Sequence, residues 1–268
     1  MKKLIVAGLI SGVLGCQKVP ITGRRQVNLL PESQLMGMSL TNYNQFLKEN
    51  KTVDKSDPRA QMVDRVGKKI QFAVQQFLKK EHQLKRIEGY KWEFNLVDDN
   101  VVNAWCMPGG KVVFYTGILP ITLDETGMAV VMGHEIAHAI ARHGNERMSQ
   151  GLITQAGGIG LSVLLSTKPK EAQDLFMGAY GVGTGLGSLK LSRNHESEAD
   201  KMGLIFMAMA GYDPDEAVNF WARMKQNGGN KPPEFLSTHP HEDTRIEDIK
   251  ASLPEARIYY QKAKKAGK

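Results

Sequence analysis

His134-Glu135-Ile136-Ala137-His138, near the middle of the chain, sets two histidines four places apart with a glutamate directly after the first. At about 3.6 residues per turn, positions i and i+4 leave a helix on the same face, one above the other, so this spacing predicts two imidazoles held side by side. Glu135 falls about 100° round from His134, too far to be a third ligand and well placed to reach a water on the open side of a metal. Met128, Val131, Met132, Ile136 and Ile140 give helical apolar spacing, and Thr122 with Glu125 reads as a capping box upstream. A buried helix with two incidental histidines is the competing explanation.

The stretch Ser192-Arg193-Asn194-His195-Glu196-Ser197-Glu198-Ala199-Asp200 tips the balance towards a metal. Zinc catalysis uses three protein ligands and one open position, and a carboxylate from a second helix is a common third ligand. Glu196 shares a helical face with Ala199, Asp200 and Gly203, whereas Glu198 lies about 200° round and must point elsewhere. Glu196 is the better ligand, because Asp200 one turn on can then accept the free ring N–H of a ligating histidine and fix its orientation. A solvated, acid-rich helix N-terminus would give the same composition without a metal.

HEIAHAIARHGNER (134–147), SRNHESEADKMG (192–203) and NAWCMPGGKVVFYTG (103–117) together resemble the HtpX and CAAX-prenyl-endopeptidase type of zinc metallopeptidase, peptidase family M48. The resemblance covers roughly residues 31–250 and implies an α+β, mostly helical, zincin-like (gluzincin) domain. It implies one Zn2+ held by His134, His138 and Glu196, with Glu135 as catalytic base. It further implies that His239 and Arg245, in and after Ser237-Thr238-His239-Pro240, face the cleft. There they would stabilise an oxyanion, or the histidine would cover the zinc at rest; a solvent-exposed loop histidine is the plainer reading of His239. Asn103-Ala104-Trp105 resembles the edge strand with which such enzymes pair a substrate backbone, though a buried hairpin without a ligand fits the residues equally. The activity implied is a zinc endopeptidase for unfolded or misassembled envelope proteins, with outer-membrane assembly proteins as partners. A zinc-stabilised, chaperone-like binding protein without turnover is the rival from another class, disfavoured because a purely structural site has no use for Glu135.

Of 268 residues 41% are hydrophobic, which suits one core, so a single domain is expected over 31–268 after a leader at 1–15 and a tether at 16–30. The net charge of +7 is spread along the chain apart from Lys262, Lys264, Lys265 and Lys268, and aromatic residues do not interleave with it, so nucleic-acid binding has no support. Lys2 and Lys3 precede an apolar run from Leu4 to Leu14 that is too short to span a bilayer. Val13-Leu14-Gly15-Cys16 then resembles a bacterial lipobox, which implies cleavage before Cys16 and lipidation of that cysteine; an ordinary secretory signal is the alternative. A lipidated Cys16 would anchor the chain to a membrane, and Gln17 in place of aspartate leads to the expectation of an outer-membrane, periplasm-facing location. Cys106 then stands alone and no internal disulfide can form.

Helices are expected over about 33–49 and 58–80, the latter with Val63, Val66, Ile70, Ala73, Val74 and Phe77 on one stripe. Alternation between Tyr90 and Leu119 around Pro108-Gly109-Gly110 predicts a small antiparallel sheet with a hairpin. Gly157, Gly158, Gly160, Gly178, Gly181, Gly183, Gly185 and Gly187 suggest either a close-packed helical hairpin or a lid. Asp213-Pro214-Asp215-Glu216 opens another helix, and two more are expected near 244–252 and 254–264.

Overall fold

The apolar stripes decide where the helices lie. The computed structural model describes residues 16–154, 161–180, 192–227, 234–239 and 244–267. The leader, including Val13-Leu14-Gly15, most of the glycine-rich lid candidate, and Pro240 lie outside these residues. The chain opens with β1 (Cys16–Lys18) and β2 (Arg25–Val27), paired antiparallel. The segment expected to be a plain tether therefore carries a hairpin, with Val19 and Gln26 buried. Helices α1 (Glu32–Glu49) and α2 (Pro58–Lys80) follow; Asp57 caps α2 by accepting from the Arg59 amide, and its predicted stripe is buried.

The sheet comprises β3 (Glu93–Val97), β4 (Ala104–Met107) and β5 (Lys111–Tyr115), in the order β3-β5-β4. The turn after Met107 uses Gly109 and Gly110 at φ 82° and 79°, so β4 and β5 form the expected hairpin. The expected all-antiparallel sheet is nevertheless mixed. Two chain reversals, one over 98–103 and one over 108–110, separate β3 from β5, so these neighbours run parallel. β4 is left at an edge.

Beyond the sheet come α3 (Leu119–Thr122), α4 (Glu125–Ala141), α5 (His143–Thr154), α6 (Leu161–Thr167) and α7 (Pro169–Ala179). The chain then forms α8 (Arg193–Met209), α9 (Glu216–Asn227), α10 (Glu234–Thr238) and α11 (Arg245–Lys265). The cap of α4 is Asp124, which accepts from the Thr126 and Gly127 amides; Thr122 belongs to the preceding turn, so the expected capping box does not form. The two helices expected after residue 244 are one, α11, which continues through Pro254 because Ile249, Leu253 and Ala256 keep one buried stripe. Every residue of α4 from Gly127 to Ala141 is buried, and α4 packs most extensively on α8. It is the central element, enclosed by α2, α8, α9 and β4.

Candidate metal centre

The site forms where α4 crosses α8. His134 and His138 project from one face of α4, and Glu196 comes from the first turn of α8, whose cap Ser192 accepts from the His195 amide. His239, just after α10, completes a group of four residues with ligand atoms within 4.8 Å of one another. His134 Nε2 lies 3.0 Å from His138 Nε2 and 3.3 Å from His239 Nδ1. Glu196 Oε1 is 3.1 Å from His239 Nδ1 and 3.5 Å from His138 Nε2, while Oε2 is 3.5 Å from His134 Nε2.

These residues fit a zinc ion. Tetrahedral zinc with bonds of about 2.0–2.2 Å keeps its ligand atoms roughly 3.3–3.6 Å apart, close to the spacings found. The donor chemistry agrees, since three imidazoles and a carboxylate are zinc ligands, and Glu196 Oε2 is buried without a hydrogen-bond partner. Burial alone would push His134 down, yet the Asp200 and Glu196 carboxylates outweigh it and raise it to about 9. Its neighbour His138 goes the other way, pushed well below the usual imidazole value by burial and by His134. Glu196 is held well below the carboxylate range by His239, His134 and His138 despite its burial.

Asp200 Oδ1 lies 2.9 Å from His134 Nδ1, so it can accept a hydrogen bond from that ring's Nδ1–H and fix the tautomer whose unprotonated Nε2 faces the cluster. Arg245, expected to face the cleft, lies buried against the cluster. It donates to Asp200 Oδ1 (2.8 Å), lies 3.2 Å from Glu196 Oε2 and stacks on Trp221 at 3.4 Å, so it braces these two carboxylates. His239 places its Nδ1 among the candidate ligand atoms and its Nε2 3.4 Å from Glu135 Oε1. Asn103, Ala104 and Trp105 are buried at the edge strand. There Phe235 N–H donates to Val102 O (3.0 Å), Asn103 Nδ2 donates to Glu234 Oε1 (3.1 Å), and the Ala104 amide donates to Asn103 Oδ1 (2.9 Å).

The sequence does not single out a second buried cluster behind His138. His143 Nδ1 lies 2.8 Å from His138 Nδ1, and its Nε2 lies 2.9 Å from Glu198 Oε2. On an unbroken helix His143 would stand about 140° round from His138. The chain instead breaks at Arg142, in the left-handed region at φ 61°, and α5 brings His143 back under the ligand. Glu198, turned away from the cluster, accepts from Arg24 Nε (2.9 Å) and from the Thr22 hydroxyl. Arg24 also grips Glu146 with both terminal nitrogens (3.0 and 2.8 Å), and Glu146 meets His195 Nε2 at 3.0 Å.

Two histidines and the intervening glutamate on one helix, facing a carboxylate from a second helix beside a small sheet, are the build of a zincin-like metallopeptidase domain. Residues 68–253 match peptidase family M48, and the chain belongs to that family. It is 32% identical over 260 residues to the mitochondrial metalloendopeptidase OMA1 of Schizosaccharomyces pombe, covering 95% of this chain and 72% of that one. It is 37% identical over 185 residues to the mitochondrial metalloendopeptidase OMA1 of Saccharomyces cerevisiae, covering 66% of this chain and 51% of that relative. The β-barrel assembly-enhancing protease of Yersinia pestis is 30% identical over 165 residues, covering 59% and 34%. The chain thus spans about half of the S. cerevisiae relative and a third of the bacterial one. These matches overturn the expected outer-membrane, periplasm-facing location: the relatives aligned over the larger shares of the chain are named as mitochondrial enzymes. Among the described residues no helix is long and apolar enough to cross a membrane.

Proposed function

We propose that the chain is a zinc-dependent endopeptidase acting on extended segments of unfolded or misassembled proteins. The observation that carries this is Glu135, a buried carboxylate beside the ligand cluster whose Oε1 makes no hydrogen bond. Burial pushes its carboxyl above the usual range, against the pull of His239 and His134, the direction that suits a group that must hold a proton as well as accept one. His134, His138 and Glu196 would hold the zinc, which when bound would supply a Lewis acid to activate water and polarise a carbonyl. Glu135 takes the proton from the attacking water and passes it to the leaving amine. Asp200 and Arg245 keep His134 and Glu196 in place during the exchange.

The edge position of β4 supports pairing of a substrate backbone along Asn103, Ala104 and Trp105. Because α10 lies against the start of that strand and His239 fills the fourth ligand position, both withdraw before a substrate enters. Relatives named for metalloendopeptidase activity and for enhancing β-barrel assembly support a quality-control role beside membrane-protein assembly factors. Cys16, at the start of β1, is the proposed lipid attachment point; Cys16→Ala should leave the carbonate-washed membrane fraction, and retention there would remove the anchor from the proposal.

Glu135→Gln keeps size and hydrogen-bonding reach but not basicity. Peptide hydrolysis should fall by about 10²- to 10⁴-fold with zinc content unchanged. Undiminished cleavage would remove Glu135 from the chemistry. No cleavage by either protein, with binding of an unfolded client retained by both, would favour the chaperone-like alternative.

A further inference from the structure

We propose that the N-terminal hairpin is part of the metal centre: Arg24, acting through Glu198 and His143, is a positioning residue for the ligand His138. The inference rests on the metal-centre reading and adds residues to it. His138 Nε2 lies among the ligand atoms, so when it binds a metal the ring's proton is on Nδ1. That N–H faces His143 Nδ1 at 2.8 Å, which must then accept. His143 consequently carries its own proton on Nε2 and donates it to Glu198 Oε2 at 2.9 Å. An ionised carboxylate can only accept, so Glu198 fixes the direction of the whole chain of hydrogen bonds.

Glu198 is itself held from outside the helical body. Arg24 Nε donates to its Oε2 and the Thr22 hydroxyl to its Oε1, while the two terminal nitrogens of Arg24 hold Glu146. Glu146 takes His195 Nε2, and the His195 ring stacks on His143 with centroids 4.4 Å apart and planes 21° from parallel. His143 is thereby fixed along its edge by Glu198 and across its face by His195. The arrangement repeats the one on the other side of the cluster, where His134 Nδ1 meets Asp200 and Asp200 meets Arg245. Each ligand histidine of α4 ends in a carboxylate held by an arginine. The difference is that Arg245 opens α11, whereas Arg24 lies on the loop between β1 and β2, sequentially remote from the rest of the centre.

The test uses the full chain and zinc alone, with affinity measured by competition against a chromophoric chelator, and the d–d spectrum of the cobalt(II) form as a second readout. His143→Leu should weaken zinc binding by about 10- to 100-fold, the range for losing a hydrogen-bond partner of a ligand histidine. His143→Asn places an amide oxygen near the position of Nδ1 and should recover most of that loss, whereas a merely structural role for the ring would not be rescued this way. Arg24→Ala should weaken binding by a smaller factor and alter the cobalt spectrum, but add nothing on the His143→Leu background, because its influence passes through that ring. Full additivity of the two substitutions, or unchanged affinity in His143→Leu, would overturn the proposal. Failure of the unaltered chain to bind zinc would instead overturn the metal-centre reading on which it rests.

Discussion

Gly133 of α4 and Gly203 of α8 meet backbone to backbone: a Cβ on Gly203 would lie 2.8 Å from His134 N, and one on Gly133 would lie 2.8 Å from Gly203 O. Gly133 immediately precedes the first ligand, and Gly203 stands about two turns beyond Glu196 on the same helix face. The contact therefore sets how far the carboxylate ligand sits from the two histidines. Gly203→Ala should force the helices apart, costing about 1–3 kcal/mol as overpacking in a dense core usually does. Zinc affinity should fall with it, since backbone atoms cannot yield as a flexible side chain would. Thermal unfolding and zinc titration of the variant check both, and a variant with native affinity would show that the ligand spacing is set elsewhere.

The centre is legible in the sequence where one helix decides the geometry. The i, i+4 spacing of His134 and His138 and the phase of Glu196 against Glu198 follow from helical periodicity alone, and Asp200 follows from one further turn. What periodicity cannot supply is the break at Arg142, a residue without the usual preference for left-handed backbone, and hence the return of His143 under His138. Nor can it bring Arg24 from a short hairpin to Glu198, because that contact depends on tertiary docking. The mixed sheet escapes for a related reason: alternation marks β3, β4 and β5, but strand order depends on which side of β5 the 98–103 connection passes. Arg245 is legible as part of the site but not in its direction, which the stacking on Trp221 determines.

Glu196→Gln and Glu198→Gln separate a ligand from a residue that steadies one. Glu196 lies among the ligand atoms, so its amide variant should lose most bound zinc even at saturating metal. Glu198→Gln keeps an oxygen that can accept from His143 and should still reach one equivalent, at reduced affinity. Elemental analysis after dialysis against a range of free zinc distinguishes the two, and the reverse order would transfer the ligand role to Glu198.

Acid should loosen the hairpin. Burial pushes Glu146 up, but the hydrogen bonds from His195 and Arg24 outweigh it and hold its carboxyl at about 2 against an ordinary value of 4.5. A carboxylate depressed in the folded state contributes stability that is complete above about pH 4.5 and is lost as pH falls towards about 2, because the unfolded chain takes up the proton first. The urea midpoint of the native chain should therefore drop as pH is lowered through this window. Arg24→Ala, already less stable at neutral pH, should show a shallower drop because one of the two partners that depress Glu146 is gone. Equal slopes in the two proteins would remove Arg24 from the pairing.

In the proposed centre His239 stands in the way twice. Its Nδ1 takes the fourth place among the ligand atoms, and its Nε2 lies 3.4 Å from the carboxylate proposed as base, so one side chain withholds both the open metal position and Glu135. It is held there by Phe235, whose ring stacks on it with centroids 4.6 Å apart and whose amide ties α10 to Val102. His239→Ala leaves His134, His138 and Glu196 as three ligands, the number a catalytic zinc needs, and should keep one equivalent of metal. A small hydroxamate, which must reach the open position, should bind the variant about tenfold or more tightly than the native chain, a difference of about 1.4 kcal/mol for displacing a resident ligand. Phe235→Ala should move in the same direction by freeing the histidine without deleting it. If hydroxamate binds native chain and both variants alike, His239 does not cover the metal in solution, and the closed arrangement of α10 has no part in controlling access.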